Sequence, residues 1–253
     1  APYLPSKSGL SHLILLVQNE IGYRNLSKLV SLGYLEGFYY KPRIDKEILN
    51  QYSEGLIATS ACMKGEIPNL CMLGDMDRAR AAALDYKKIF GERFYLEIQN
   101  NGVPQQMMIN QRLQELAKDL DIKLVATADV HYLKREDVFS HEVLMSIQSG
   151  NVMEDTSGSS IRSDEFYFKP QAVMEEDFSY CPEAIANTME IASQCNYDFK
   201  FDDDQGKKIY YYPKFEPPGG KTQVEFIEEQ SIAGLEYRLK EKFGEAGYLA
   251  LTP

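Results

Sequence analysis

FYLEIQNNGVPQQMMINQRLQELAKDLDIKLVATADVH, residues 94–131, is the stretch that decides the fold class. Residues 94–98 (FYLEI), aromatic and apolar apart from Glu97, predict a strand, and Asn101-Gly102 marks the turn that ends it. Ile109, Leu113, Leu116, Ala117 and Leu120 then fall at helical spacing. Residues 123–126 predict a second strand. A strand, a helix and a strand in this order form a crossover unit, which builds a mostly parallel sheet.

The same alternation extends upstream. Residues 13–17 (LILLV) read as a strand, followed by a start at Gly22-Tyr23 and a helix through residues 25–32. Pro42 and Arg43 lie in a connection before a helix at 46–52, and residues 56–59 are another strand. After Asp75 one helical face carries Ala79, Ala82, Ala83, Tyr86, Ile89 and Phe90, with Gly91 as the stop. Downstream, a helix starts near Arg135 with Glu136 and Asp137 in its first turn, where carboxylates suit the dipole. The first 150 residues therefore predict an α/β fold, either a barrel or a doubly wound sheet. The sheet is expected to be buried on both faces, which the unalternating 13–17 run fits.

Organisation changes after Gly150. Residues 151–160 are small and polar and read as a surface loop, and 166–168 as a short strand. Pro182 opens a helix carrying Ile185, Thr188, Met189, Ile191 and Ala192. Residues 202–208 are charged and expected to be mobile, and 217–220 (PPGG) break the chain. Thr222 and Glu225 then form a capping-box signature for a last helix ending at Gly244. This final third reads as a connector.

Composition sets outer bounds. The 253 residues are 44% hydrophobic and 26% charged, ordinary for a globular protein. No apolar run approaches the ~20 residues that span a bilayer, and residues 1–10 lack the pattern of a secretory signal. The net charge of -11, from 27 basic and 38 acidic residues, argues against a main DNA-gripping surface. It suits solubility, metal attraction or a protein partner. Cys62, Cys71, Cys181 and Cys195 form no CxxC pair, as expected in a reducing cytoplasm.

The chemistry gathers at strand ends. Asp129 and His131 follow the 123–126 strand, and Cys62 follows the 56–59 strand, so one end of one sheet receives all three. Imidazole, thiolate and carboxylate suit zinc, and carboxylate with imidazole also suits manganese or iron. On an extended chain the outer side chains of Asp-x-His share a face. The ordinary alternatives are a hydrogen-bonded loop pair for Asp129 and His131, and a small buried hydrophobe for Cys62.

Several ordered blocks carry a family resemblance: HLILLVQNEIGYRNLSKLVSLGYLEGFYYKPRID (12–45), YSEGLIATSACMKGEIP (52–68), FYLEIQNNG (94–102), KLVATADVHYL (123–133), SHEVLMSIQSG (140–150), SDEFYFK (163–169), AIANTMEIASQCN (184–196) and YPKF (212–215). Together they resemble the PHP (polymerase and histidinol phosphatase) domain of bacterial DNA polymerase III alpha subunits. The resemblance implies a partial PHP-type distorted seven-stranded (β/α) barrel over residues 1–200. A mainly helical connector over 201–253 would lead toward a polymerase palm. It implies a cluster of up to three metal ions, with His12, Cys62, Asp129 and His131 as ligands. Zinc, manganese or iron would occupy that site, and magnesium the polymerase site, whose paired aspartates have no counterpart here.

The resemblance also marks departures. The family's HxH motif, its following His and Asp positions and a preceding Glu have no match in this sequence, so an incomplete metal cage and an inactive isolated piece are expected. Ala128 stands where the family usually has Asn, which is expected to alter a supporting hydrogen bond. His12 precedes its strand, the wrong end of the sheet for a ligand on the residue reading alone. His141 reads as a partly exposed helix residue, Glu66 as a capping or pairing group, Glu97 as structural, and residues 210–212 as packing tyrosines.

Three functions follow as expectations. The first is a part of a DNA-directed DNA polymerase active in replication, reaching DNA through the parent enzyme. The second is a metal-dependent phosphoesterase or 3′–5′ proofreading exonuclease. The third is a module that braces the other polymerase domains and docks an exonuclease subunit. A cytoplasmic location and no membrane partner are implied.

Overall fold

In the computed structural model, which describes residues 10–150 and 163–251, four strands build one sheet. They are β1 (Ile14–Val17), β2 (Leu56–Thr59), β3 (Phe94–Gln99) and β4 (Lys123–Thr127), in that spatial order. β2, β3 and β4 pair in parallel, with Tyr95 opposite Thr59 and Glu97 opposite Val125. β1 runs antiparallel to β2 and sets Ile14 opposite Thr59. The protein is thus a mixed α/β fold whose sheet is mostly parallel.

Helices α1 (Glu20–Leu35), α2 (Lys46–Gln51), α3 (Glu66–Leu73), α4 (Met76–Phe90), α5 (Gln106–Leu120), α6 (Val138–Ser149), α7 (Gln171–Asp177) and α8 (Pro182–Gln194) surround this sheet. β3 is buried along its whole length. Phe94, Leu96 and Ile98 enter the main core with Ile109 and Leu113 of α5 and the alanine face of α4. Tyr95 joins Ile57, Val125 and Ile191 of α8 on the other face. Both faces of β2 and β3 are covered, as a parallel sheet requires. β1 departs from the expectation: its residues are exposed or half-buried, because among the described residues it pairs along one edge only.

Helix α1 starts earlier than its sequence predicts. The Asn19 side chain accepts from the Gly22 amide and caps it. Gly22 therefore lies inside the helix. A Cβ there would sit 1.9 Å from the Gly55 carbonyl oxygen, so glycine permits α1 to lie against the entry to β2. α3, which the sequence reading passes over, is closed by Gly74 in the left-handed conformation.

Beyond β4 the chain is less regular. A 3-10 turn at Arg135–Asp137 leads into α6, with the Lys134 amide donating to Asp137 Oδ2. Residues 166–168 make only one bridge, Tyr132 with Tyr167, rather than a strand. The 151–160 stretch lies outside the described residues.

The chain divides into two compact units, residues 1–198 and 199–253. In the second, Asp202 bridges Lys208 around a turn held by Asp203. The charged 202–208 stretch is thus a hydrogen-bonded turn, because Asp203 satisfies the backbone amides inside it. Helix α9 (Gln223–Leu251) is opened by the reciprocal Thr222–Glu225 bonds and broken at Gly244, where φ is 69° and ψ 171°. No helix among the described residues is long and apolar enough to cross a membrane.

Candidate metal centre

The loop after β2 carries Cys62. Ser60 is tied to β3 by its own amide, which donates to the Tyr95 carbonyl, and by its hydroxyl, which accepts from the Glu97 amide. Ala61 then takes a left-handed φ of 60° while buried, a conformation that costs a non-glycine residue on the order of 1 kcal/mol or more. The turn closes through the Gly65 amide donating to the Cys62 carbonyl at 2.7 Å. A side chain at Gly65 would meet the Ser60 carbonyl oxygen at 2.0 Å.

His12 arrives from the other direction. Because β1 is antiparallel to β2, the entry to β1 lies beside the exit of β2. The His12 amide donates to the Lys64 carbonyl at 2.9 Å and fixes it along this loop. His12 Nδ1 then lies 3.7 Å from Cys62 Sγ. The difficulty in the sequence reading, that His12 precedes its strand, is removed by strand direction: in an antiparallel strand the preceding residue is at the functional end.

The exit of β4 carries Asp129 and His131. Asp129 is left-handed, with φ 49°, so the shared-face expectation for an extended Asp-x-His does not apply. Instead the ring is fastened locally. His131 Nδ1 lies 2.6 Å from the Asp129 carbonyl oxygen. A carbonyl only accepts, so Nδ1 carries the proton and Nε2 is the acceptor nitrogen. The His131 amide donates to the Phe166 carbonyl, and its ring stands edge-on to Phe166 and to His141 at 5.1 and 5.6 Å.

The charges respond to this crowding. Burial pulls His12 below the usual imidazole range, helped by Lys64 and opposed by Asp129. Burial raises the Cys62 thiol, with Asp129 and Glu97 adding to the rise. Burial likewise raises the Asp129 carboxyl, and His131 and His12 oppose it. Burial thus pushes His12, Cys62 and Asp129 each toward its neutral form. Cys71 and Cys181 are more deeply buried, and burial pushes them to about 12 and about 11.

Zinc bonded to nitrogen at ~2.05 Å and sulfur at ~2.3 Å in a tetrahedron separates the two donors by about 3.6 Å. The His12–Cys62 separation of 3.7 Å fits. The fastened Nδ1 of His131 also matches how a ligating histidine is oriented through its other nitrogen. Among the described residues, no three His, Cys, Asp or Glu groups stand close enough together to hold an ion by themselves.

The remaining candidates resolve simply. Glu66 pairs with Lys46 at 3.1 Å and accepts from the Tyr86 hydroxyl at 3.0 Å. Tyr210 and Tyr212 stack on each other at 5.6 Å while exposed. His141, read as a partly exposed helix residue, is half-buried on α6, and its ring lies against His131 and Tyr132. Its place depends on the fold of α6 back toward the β4 exit, for which helical spacing carries no signal. Glu97, read as structural, is 2% exposed and sits at the centre of a hydrogen-bonded row.

Residues 3–101 match the PHP domain family. The chain is 41% identical over 243 residues to the DNA polymerase III subunit alpha of Thermus aquaticus, covering 95% of this chain and 20% of that protein. It is 43% identical over 229 residues to the protein of the same name in Borreliella burgdorferi, covering 90% and 20%. The corresponding figures for Aquifex aeolicus are 37% over 235 residues, 90% and 20%. The chain thus spans about a fifth of the length of these curated relatives. With PHP-domain sequence at residues 3–101 and this likeness along nine tenths of its length, the chain is similar to the PHP-bearing portion of DNA polymerase III alpha subunits.

Proposed function

We propose that this chain is the PHP portion of a replicative DNA polymerase III alpha subunit and that it contributes donors, His12, Cys62, Asp129 and His131, to a divalent-metal site. The observation that carries the reading is the His12–Cys62 pair, 3.7 Å apart at the strand end that also bears Asp129 and His131. Zinc, manganese or iron suits this donor set. A bound ion there would acidify a water and offset charge on a phosphate group.

The chain's own residues have separable tasks. His12, held toward its neutral form, offers a lone pair without first losing a proton. Cys62 must lose one to ligate, so metal uptake should release a proton. His131 is aimed by the Asp129 carbonyl. DNA synthesis, with its magnesium site, belongs to other domains of the whole subunit, which are also this portion's first partners. Bracing those domains, docking a proofreading exonuclease and working in the cytoplasm complete the proposal. Phosphoesterase or 3′–5′ exonuclease turnover by this chain alone is expected to be weak or nil.

Elemental analysis of the purified chain beside a Cys62→Ala, His131→Ala variant tests the metal reading. Near-stoichiometric metal in the parent, lost in the variant, is expected. Metal in neither would overturn the metal site and leave the bracing role. Metal in both would place the ion elsewhere.

A further inference from the structure

The sheet holds a carboxylate that the metal site does not use. Glu97 lies in the middle of β3 and is 2% exposed. Its carboxylate accepts from the Thr59 hydroxyl of β2, from the Thr127 hydroxyl of β4 at 2.5 Å, and from Gln99 Nε2 at 2.8 Å. Its backbone amide donates to Ser60 Oγ at 2.8 Å. Among the described residues no lysine or arginine pairs with it. Uncharged groups alone satisfy this buried carboxyl.

The row is placed with unusual symmetry. Thr59 and Thr127 are the last residues of β2 and β4. Two residues after each comes a non-glycine residue in the left-handed region, Ala61 and Asp129. Cys62 directly follows the first, and Asp129 is the second. Both chains therefore leave the sheet through a disfavoured bend just above a shared anchor. A disfavoured backbone persists only where its surroundings over-determine it. Glu97 supplies that determination for both exits at once, because one carboxylate grips both threonines.

We infer that Glu97 is a positioning residue: through Thr59 and Thr127 it sets the spacing and direction with which Cys62 and Asp129 leave the sheet. The inference rests on the metal reading for its consequence, since those two residues are its candidate ligands. Supporting groups of this kind change metal affinity by about 10–100-fold when removed.

The test uses cobalt(II) as the probe ion and follows the thiolate-to-cobalt absorption of Cys62. The parent chain is compared with Glu97→Gln, with the milder Thr127→Val, and with Leu96→Ala. The last opens a core cavity on the opposite face of β3 and lowers stability without touching the row. Glu97→Gln and Thr127→Val should each weaken cobalt binding by about tenfold or more and shift the band, while Leu96→Ala keeps both despite a lower Tm. Parent-like affinity and band in both row variants would overturn the inference. So would equal losses in Leu96→Ala.

If the parent binds no cobalt, the metal reading fails, and the positioning role is still decided on the metal-free chain. The rate of Cys62 alkylation by iodoacetamide, read by peptide mass, should then change several-fold in Glu97→Gln and stay level in Leu96→Ala. Unchanged rates in Glu97→Gln would overturn it.

Discussion

Asp129 carries two burdens at once, a left-handed backbone and a carboxyl that burial holds above its usual range. A group whose folded value is raised binds more protons when folded, so stability falls as pH climbs from 3.8 through that raised value. At neutral pH the ionised group is therefore a liability to the metal-free chain. Asp129→Asn removes the charge, and asparagine tolerates the left-handed region. It should raise the Tm of metal-free protein at pH 7 by on the order of 2 °C, with the gain vanishing in acid, and should weaken metal uptake. Thermal melts at pH 4 and pH 7 check the first part. The sequence made Asp129 and His131 candidates through residue type and position after a strand. It could not reveal that the Asp129 carbonyl, rather than its carboxylate, orients the His131 ring, because that follows from a φ of 49°.

At the scale of elements, two joints carry specific loads. Gly22 touches the Gly55 backbone where α1 crosses the entry to β2. Gly22→Ala should cost about 2 kcal/mol or more by overpacking, although alanine is the better helix former; urea unfolding measures it. Lys169 ties the segment after residue 162 to the β3–α5 connection. Its ammonium, with a side chain 1% exposed, donates to Asn100 O at 2.8 Å and pairs with Glu165 at 2.9 Å and Asp177 at 2.6 Å. Burial lowers its pKa, but the bonds to Asp177 and Glu165 outweigh that and raise it.

Breaking a fully buried pair costs ~3–5 kcal/mol. Both carboxylates here keep a fifth to a quarter of their exposure, so Lys169→Met should cost about 2 kcal/mol once solvent screening is counted. The parent's advantage is fully present below the unfolded value of 10.5 and should fade as pH rises through the raised folded value. Element by element, the β3–α5–β4 unit was legible because its periods switch cleanly between strand and helix. α1 was read short because its start was placed at Gly22-Tyr23, whereas the Asn19 side chain caps the helix ahead of Gly22.

For the whole molecule, the division at residue 198 matters most. The first unit contains both hydrophobic clusters, while α9 of the second leaves Val224, Ile227, Ile232 and Leu235 exposed. Limited proteolysis should cut first at 209–217, which carries no regular secondary structure, and a chain ending at residue 198 should keep a cooperative thermal transition. Loss of that transition would show that the first unit does not fold by itself.

The sequence by itself determined the alternating α/β order, the buried parallel strands, the Thr222–Glu225 cap and the candidate ligands at strand ends. Those features are written in spacing and residue type, which act over a few neighbouring positions. Only the tertiary structure decided that β1 runs antiparallel, that Glu97 links three strands, and that His141 returns to His131. Each depends on which distant segments pair. A strand's hydrophobic period is the same in either direction, whereas the hydrogen bonds that choose the direction of β1 are made with β2, some forty residues further along the chain.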